Sequence, residues 1–300
     1  MLKTLAGHAA ERELILDTHF ANGFTLWEPK PGQHVRYGEL KGREPKAKAV
    51  WGLSQWSSKF PLDPATLTVR DGVAVCSNSA KGITLGPTKT GKADFSMAVN
   101  TGPEYGEHAR KAGDPWVHLL VEQEFNPPAP LSNTASATLH IETRLLHARD
   151  LHKGDYSPEV HAAQFQLFFT VQNRNQQSSG HGDLLWFGVP IYDNRDRFTK
   201  AFKAQDFGGT KKFIFMPEGK TFTPKSAHDG KWIVIDKDLL PLMREALETA
   251  WAQGFLTQSK RIGDYYIGGM NMGWELPGTF DVEMQVRNLS LKLHPVVADH

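Results

Sequence analysis

The sequence predicts an all-β protein, an antiparallel two-sheet sandwich of the jelly-roll kind with one amphipathic helix near the C-terminus. Three observations carry this. Twelve stretches alternate apolar and polar residues with a period of two. Turn material such as Arg70-Asp71-Gly72 and His228-Asp229-Gly230-Lys231 separates them. Almost no helical pattern intervenes, which argues against βαβ units. A chain of 300 residues, 40% hydrophobic and 22% charged, fits one globular domain over 1–300 with a large core.

In chain order the expected strands are 13–18, 24–28, 66–70, 72–77, 95–100, 116–125, 135–146, 164–174, 184–192, 212–216, 232–235 and 279–293. Val73-Ala74-Val75-Cys76 places the single cysteine in a strand as an inert core thiol. Asn126-Pro127-Pro128-Ala129-Pro130 lies between two strong strands and reads as a stiff hairpin connection. The helix follows Asp236 and Asp238, either of which can cap it, with Pro241 in its first turn and Gly254 at its end. Leu239, Leu242, Met243, Ala246, Leu247, Ala250 and Trp251 make its apolar stripe. The glycine-rich run 264–278 reads as a loop whose Tyr265, Tyr266 and Trp274 either rim a ligand site or anchor the helix to the sheet. In the last strand the apolar phase changes after Val286, which predicts a bulge near Arg287-Asn288.

The polar sides of the central strands have an unusual composition. Between residues 112 and 199 the only lysine is Lys153, whereas solvated sheet edges are usually guarded by lysine and scattered charge. Along 116–125, Val117, Leu119, Val121 and Phe125 oppose His118, Leu120, Glu122 and Glu124; along 135–146, Leu139, Ile141 and Leu145 oppose His140, Glu142 and Arg144. If these two strands pair as a hairpin with both apolar sets inward, Glu122 faces His140 and His118 faces Arg144. The next pair directs Gln164, Gln166, Trp186 and Tyr192 outward. Long hydrogen-bonding groups and aromatic rings together suit a polar ring-shaped ligand, whose hydroxyls take bidentate contacts and whose C–H faces stack. The expectation is carbohydrate recognition on a concave polar face bearing His118, His140, Arg144, Gln164, Gln166, Trp186 and Tyr192.

Glu122, Glu124 and Glu142 are the candidate catalytic groups. Glycoside hydrolysis needs carboxyls about 5–5.5 Å apart for retention or about 6.5–9.5 Å for inversion, and two residues along one strand face separate α-carbons by about 6.7 Å. A polysaccharide lyase is the alternative, with Arg144, Gln164 or Gln166 neutralising a uronate while His140 or Tyr192 moves protons. A non-catalytic assembly protein, its polar face a subunit interface, is the third reading.

Other functions lack support. With 34 basic against 33 acidic residues the net charge is +1, without the excess that phosphate backbones attract; the basic stretch at Lys41, Arg43, Lys46 and Lys48 is diluted by Glu39 and Glu44. No run of 18 apolar residues suggests a membrane span, and the first residues carry no signal core, as expected of a cytoplasmic protein or a processed secreted or periplasmic form. No His-Glu-x-x-His, Gly-x-Ser-x-Gly or phosphate loop occurs, and no cofactor is expected. His147, His152 and His161 read as surface or turn residues. A structural calcium on Asp193, Asp196 or Asp206 is the one metal reading.

The long alternating strands, the segment Trp186-Phe-Gly-Val-Pro-Ile-Tyr192 and the ending Phe280-Asp-Val-Glu-Met-Gln-Val-Arg-Asn-Leu-Ser290 resemble the concanavalin-A-like and related jelly-roll carbohydrate proteins. The resemblance is architectural, and it implies an oligo- or polysaccharide partner. The Glu-x-Asp-x-x-Glu signature of one large glucanase group is missing and Glu122-Gln123-Glu124 is not its equivalent, so no catalytic residue is carried over.

Overall fold

The computed structural model describes residues 11–43, 45–87, 92–106 and 108–296. Among the described residues, seventeen strands form two sheets. The first sheet runs β15 (Ile233–Asp238), β10 (Thr134–Asp150), β17 (Phe280–Pro295), β8 (Phe95–Asn100), β7 (Lys81–Leu85), β6 (Val73–Ser77) and β5 (Thr68–Arg70), with β1 (Arg12–Glu13) also on β17. The second runs β13 (Phe202–Gln205), β14 (Phe213–Met216), β12 (Leu184–Asp193), β11 (Gln164–Asn173), β16 (Tyr265–Leu276), β9 (Val117–Pro130), β4 (Trp51–Ser54), β2 (Gly23–Trp27) and β3 (Arg36–Lys41). Pairing is antiparallel except for β2 with β4 and β12 with β14. The sandwich is a jelly roll.

Alternation builds the core. The inward residues of both sheets, among them Val121, Leu139, Phe169, Phe187, Met272 and Val286, are fully buried and join one apolar cluster. Among the described residues two helices interrupt the strands, the one-turn α1 (Gly102–Tyr105) and α2 (Leu240–Ala252). On α2, Leu240, Met243, Ala246, Leu247 and Ala250 are buried, and its contacts are with β10, β12 and β14. Asp238 accepts hydrogen bonds from the Leu240 and Ala137 amides, tying the helix start to β10.

The expected hairpin between 116–125 and 135–146 does not form. β9 pairs with β16 and β4, whereas β10 pairs with β17 and β15 in the opposite sheet. Strands that face each other across a core bury the same alternate residues as strands that lie side by side, so alternation cannot distinguish the two arrangements. Residues 131–133 carry the chain from one sheet to the other. The polar sides of β9 and β10 therefore point in opposite directions, out of the two ends of the sandwich's short axis.

The run 264–278 is not a loop. Most of it is β16, a central strand with Tyr265, Met272 and Trp274 buried inward. Its glycines meet close neighbours: a Cβ at Gly273, whose φ is +153°, would lie 2.1 Å from the Leu119 carbonyl oxygen. The bulge near Arg287-Asn288 is present, with His140 opposite Ser290, Glu142 opposite Arg287, and Asn288 at φ 54°.

Candidate functional site

The outer face of the nine-stranded sheet gathers aromatic, amide and carboxyl groups from β9, β16, β11 and β12. Register sets them in rows. Glu122 lies opposite Asn271, which lies opposite Phe168; His118 lies opposite Glu275, which lies opposite Gln164. Gln166 is 7% exposed, opposite Gly273, and Glu124 is exposed at one side of this face.

Around Glu122 the chain builds a polar niche. His34 Nε2 contacts Glu122 Oε1 at 2.8 Å, and the His34 ring meets Trp27 edge-on with centroids 5.4 Å apart. Burial pushes the Glu122 carboxyl above its ordinary range, against the opposing pull of His34, Ser54 and Trp27. Ser54 Oγ and Trp27 Nε1 flank the carboxyl without completing a hydrogen bond of normal geometry. Gly52 makes room for this, since a Cβ there would lie 2.2 Å from Trp27 Nε1.

Four residues along β9 stands a second group. The Trp116 indole N–H donates to His118 Nε2 at 2.9 Å, and His118 Nδ1 contacts the Trp116 carbonyl at 2.9 Å. This pattern places the imidazole proton on Nδ1 and leaves the ring neutral. Glu275 Oε2 is 3.7 Å from His118 Nε2. Burial pushes the Glu275 carboxyl up to about 7, with the Asp206 carboxylate adding to the effect, while burial pushes His118 down to about 4. The side chains are 21% and 14% exposed, so each remains reachable from outside.

Asp206 arrives from the far side of the sheet. It opens the β13–β14 turn, where it accepts from the Thr210 amide and hydroxyl at 2.6 and 2.9 Å. A Cβ at Gly208 in the same turn would lie 3.0 Å from the Trp116 ring. That near-contact bridges β12, β11 and β16, so the turn reaches over the face and roofs one end of it. Trp186 Nε1 donates to Thr210 Oγ1 at 3.0 Å and steadies the turn. At its tip Phe207 is 82% exposed.

Of the residues expected on one polar face, His118, Glu122, Glu124, Gln164, Gln166 and Trp186 do share it. His140, Glu142 and Arg144 lie on the outer face of the other sheet, because β10 belongs there. His140 contacts Asp236, Arg144 donates to the Gly230 carbonyl, and Glu142 is held by Arg287 and Asn288. Burial pushes Glu142 up, but those hydrogen bonds outweigh it and hold the carboxyl below its usual range. Tyr192 is turned inward, 4% exposed and against Trp274, because a bulge in β12 sets Phe165 opposite Tyr192 but Gln166 opposite Pro190. Among the described residues no cluster of three or more His, Cys, Asp or Glu forms a metal site. Asp193 pairs with Arg195 and Asp196 with Lys200. Glu275, Trp27, His34, Trp116 and Trp56, whose ring meets His118 edge-on with centroids 5.5 Å apart, are residues of this candidate site that alternation alone does not single out. For Glu275 a signal is present in the sequence, since Met270, Met272, Trp274 and Leu276 alternate around it.

No family model matches the chain, and comparison with curated proteins found no match. Among solved structures it is similar to endoglucanase cel12A from Rhodothermus marinus, with 9% identity over 75% of this chain and 92% of that one and a TM-score of 0.40. It is also similar to a family 12 xyloglucanase from Bacillus licheniformis (9% identity, 77% and 98% covered, TM-score 0.41). A third similar structure is the family 11 xylanase from Neocallimastix patriciarum (12% identity, 76% and 94% covered, TM-score 0.37).

Proposed function

We propose that the protein binds a polysaccharide along the outer face of the nine-stranded sheet and cleaves a glycosidic bond beside Glu275. One observation carries the reading: Glu275 stands 3.7 Å from a neutral His118 on an aromatic- and amide-lined face, where burial and the charge of the nearby Asp206 carboxylate raise its carboxyl to about 7. A neutral carboxylic acid is the group that protonates a departing glycosidic oxygen.

In this mechanism Glu275 gives its proton to the leaving oxygen as the C1–O bond breaks. Water adds to C1 and its proton passes to Asp206. Glu122 is a poor partner for Glu275, because four residues of strand separate their rows by about 13 Å, beyond the spacing of either hydrolytic class. Glu122 and His34 instead suit hydroxyl recognition, along with Asn271 and Gln166.

A panel of neutral, acidic and sulfated polysaccharides, read for binding and for newly formed chain ends, tests the proposal. Glu275→Gln is expected to lower turnover by about 10²–10⁴-fold while leaving binding nearly intact. Reducing ends identify hydrolysis; unsaturated ends would assign the same site to β-elimination. Retention of no glycan at all would overturn the reading and favour an assembly protein.

A further inference from the structure

Beside Glu275 opens a pocket of about 300 Å³, at the small end of ligand sites and of a size for one sugar ring with a substituent. Arg110, Trp116, Gln164, Arg195, Glu159 and Glu275 contribute to its wall. We propose that this pocket selects an anionic sugar, one whose ring carries a carboxylate or sulfate, and that the Arg110 guanidinium is the group that holds the anion. The inference rests on the glycan function proposed for this face and adds the substrate class.

Arg110 is 8% exposed and stands 5.0 Å over the Trp116 ring. Its Nε donates to the Asp114 carbonyl at 2.8 Å and its Nη1 to the Val160 carbonyl at 3.3 Å. Among the described residues it has no carboxylate partner, and Nη2 makes no hydrogen bond. A guanidinium this far from water without a counter-ion is costly unless an anion joins it, and its planar fork matches carboxylate and sulfate oxygens.

Among the described residues, the acids around Arg110 are engaged elsewhere: Asp155 accepts from the Ala109 amide. Asp114 turns its carboxylate to the Lys111 amide, Asp193 is shared by Arg195 and Gln164, and Glu159 accepts from Ser157 on the exposed rim. Burial raises the Glu275 carboxyl to about 7, so below that pH it is mostly neutral and repels an incoming anion little. The position of Arg110 is also fixed from behind. His161 is 3% exposed, accepts from the Ser157 amide at Nδ1 and contacts the Arg110 carbonyl through Nε2 at 2.7 Å.

The test compares affinity of the native protein for three uronans (polygalacturonate, alginate and glucuronan), their carboxyl-reduced forms, a sulfated galactan and a neutral β-glucan. The native protein is expected to bind one anionic polymer about tenfold or more tightly than any neutral one; which polymer it is separates carboxylate from sulfate. Arg110→Met, with folding checked by thermal melt, is expected to bring that ratio to about one, and Arg110→Lys to retain part of it. Equal affinity of the native protein for neutral and anionic glycans overturns the inference while leaving the glycan reading in place. So does an Arg110→Met protein that keeps the preference. Binding of neither class overturns both.

Discussion

Glu275 Oε2 and His118 Nε2 stand 3.7 Å apart, and burial drives them in opposite directions, the carboxyl up to about 7 and the imidazole down to about 4. Between about pH 4 and about pH 7 this is mainly a carboxylic acid beside an uncharged ring. For Glu275, whose folded pKa exceeds its unfolded 4.5, the stabilising contribution is complete below 4.5 and disappears as pH rises through about 7. For His118, whose folded pKa lies below 6.5, it is present above 6.5 and disappears as pH falls through about 4. The two slopes oppose each other between 4.5 and 6.5. Urea unfolding of Glu275→Gln should therefore show stability rising with pH across that window, and His118→Gln should show it falling, with the native protein flatter than either. Three parallel curves would contradict the assignment.

The same proton sets the catalytic profile. Turnover is expected to decline as pH rises past about 7, when Glu275 loses the proton it must donate. A rate that climbs steadily through about pH 8 to 9 would remove Glu275 as the acid.

Phe207 separates affinity from stability. It is 82% exposed at the tip of the turn that reaches Trp116, so Phe207→Ala should change unfolding free energy by no more than about 0.5 kcal/mol. Glycan affinity should fall severalfold through lost ring stacking. Unchanged affinity would show that the turn tip does not touch ligand.

Gly52→Ala tests the niche of Glu122. The added methyl would occupy the place of Trp27 Nε1, which predicts a destabilisation of about 1–3 kcal/mol and a shift in tryptophan fluorescence. A native-like melting temperature and spectrum would mean that Trp27 can move freely.

Much of the architecture is legible because alternation records which side of a strand is dry. It does not record which sheet the strand joins, and so it sets Glu142, His140 and Arg144 beside Glu122 although they lie behind it. Tyr192 is misplaced by a single extra residue in β12, which reverses the inward and outward phase along the strand. Glu275 is hidden because the glycines of β16 carry the signature of a loop; in this strand they permit close backbone approach to β9 and β11. Asp206 and Arg110 lie in irregular segments, where no periodicity reports direction.

A fully buried salt bridge gives a further stability test. Lys81 and Glu104 are 0% and 1% exposed at the side chain and 2.8 Å apart, with Ser58 hydrogen-bonded to both. Lys81→Met is expected to cost about 3–5 kcal/mol by leaving Glu104 uncompensated, and Lys81→Met with Glu104→Gln to recover part of that. A double variant no more stable than the single one would argue that volume, not charge, dominates there.

The crossing at residues 131–133 also makes the protein convenient to mount. Val234, beside Glu142 on β15, is 42% exposed on the side away from the cleft, whereas the native thiol of Cys76 is 1% exposed. A maleimide directed to Val234→Cys would thus react at one place and fasten every molecule with the same orientation. On a sensor chip or bead, the tryptophan-lined side would then face the flowing solution.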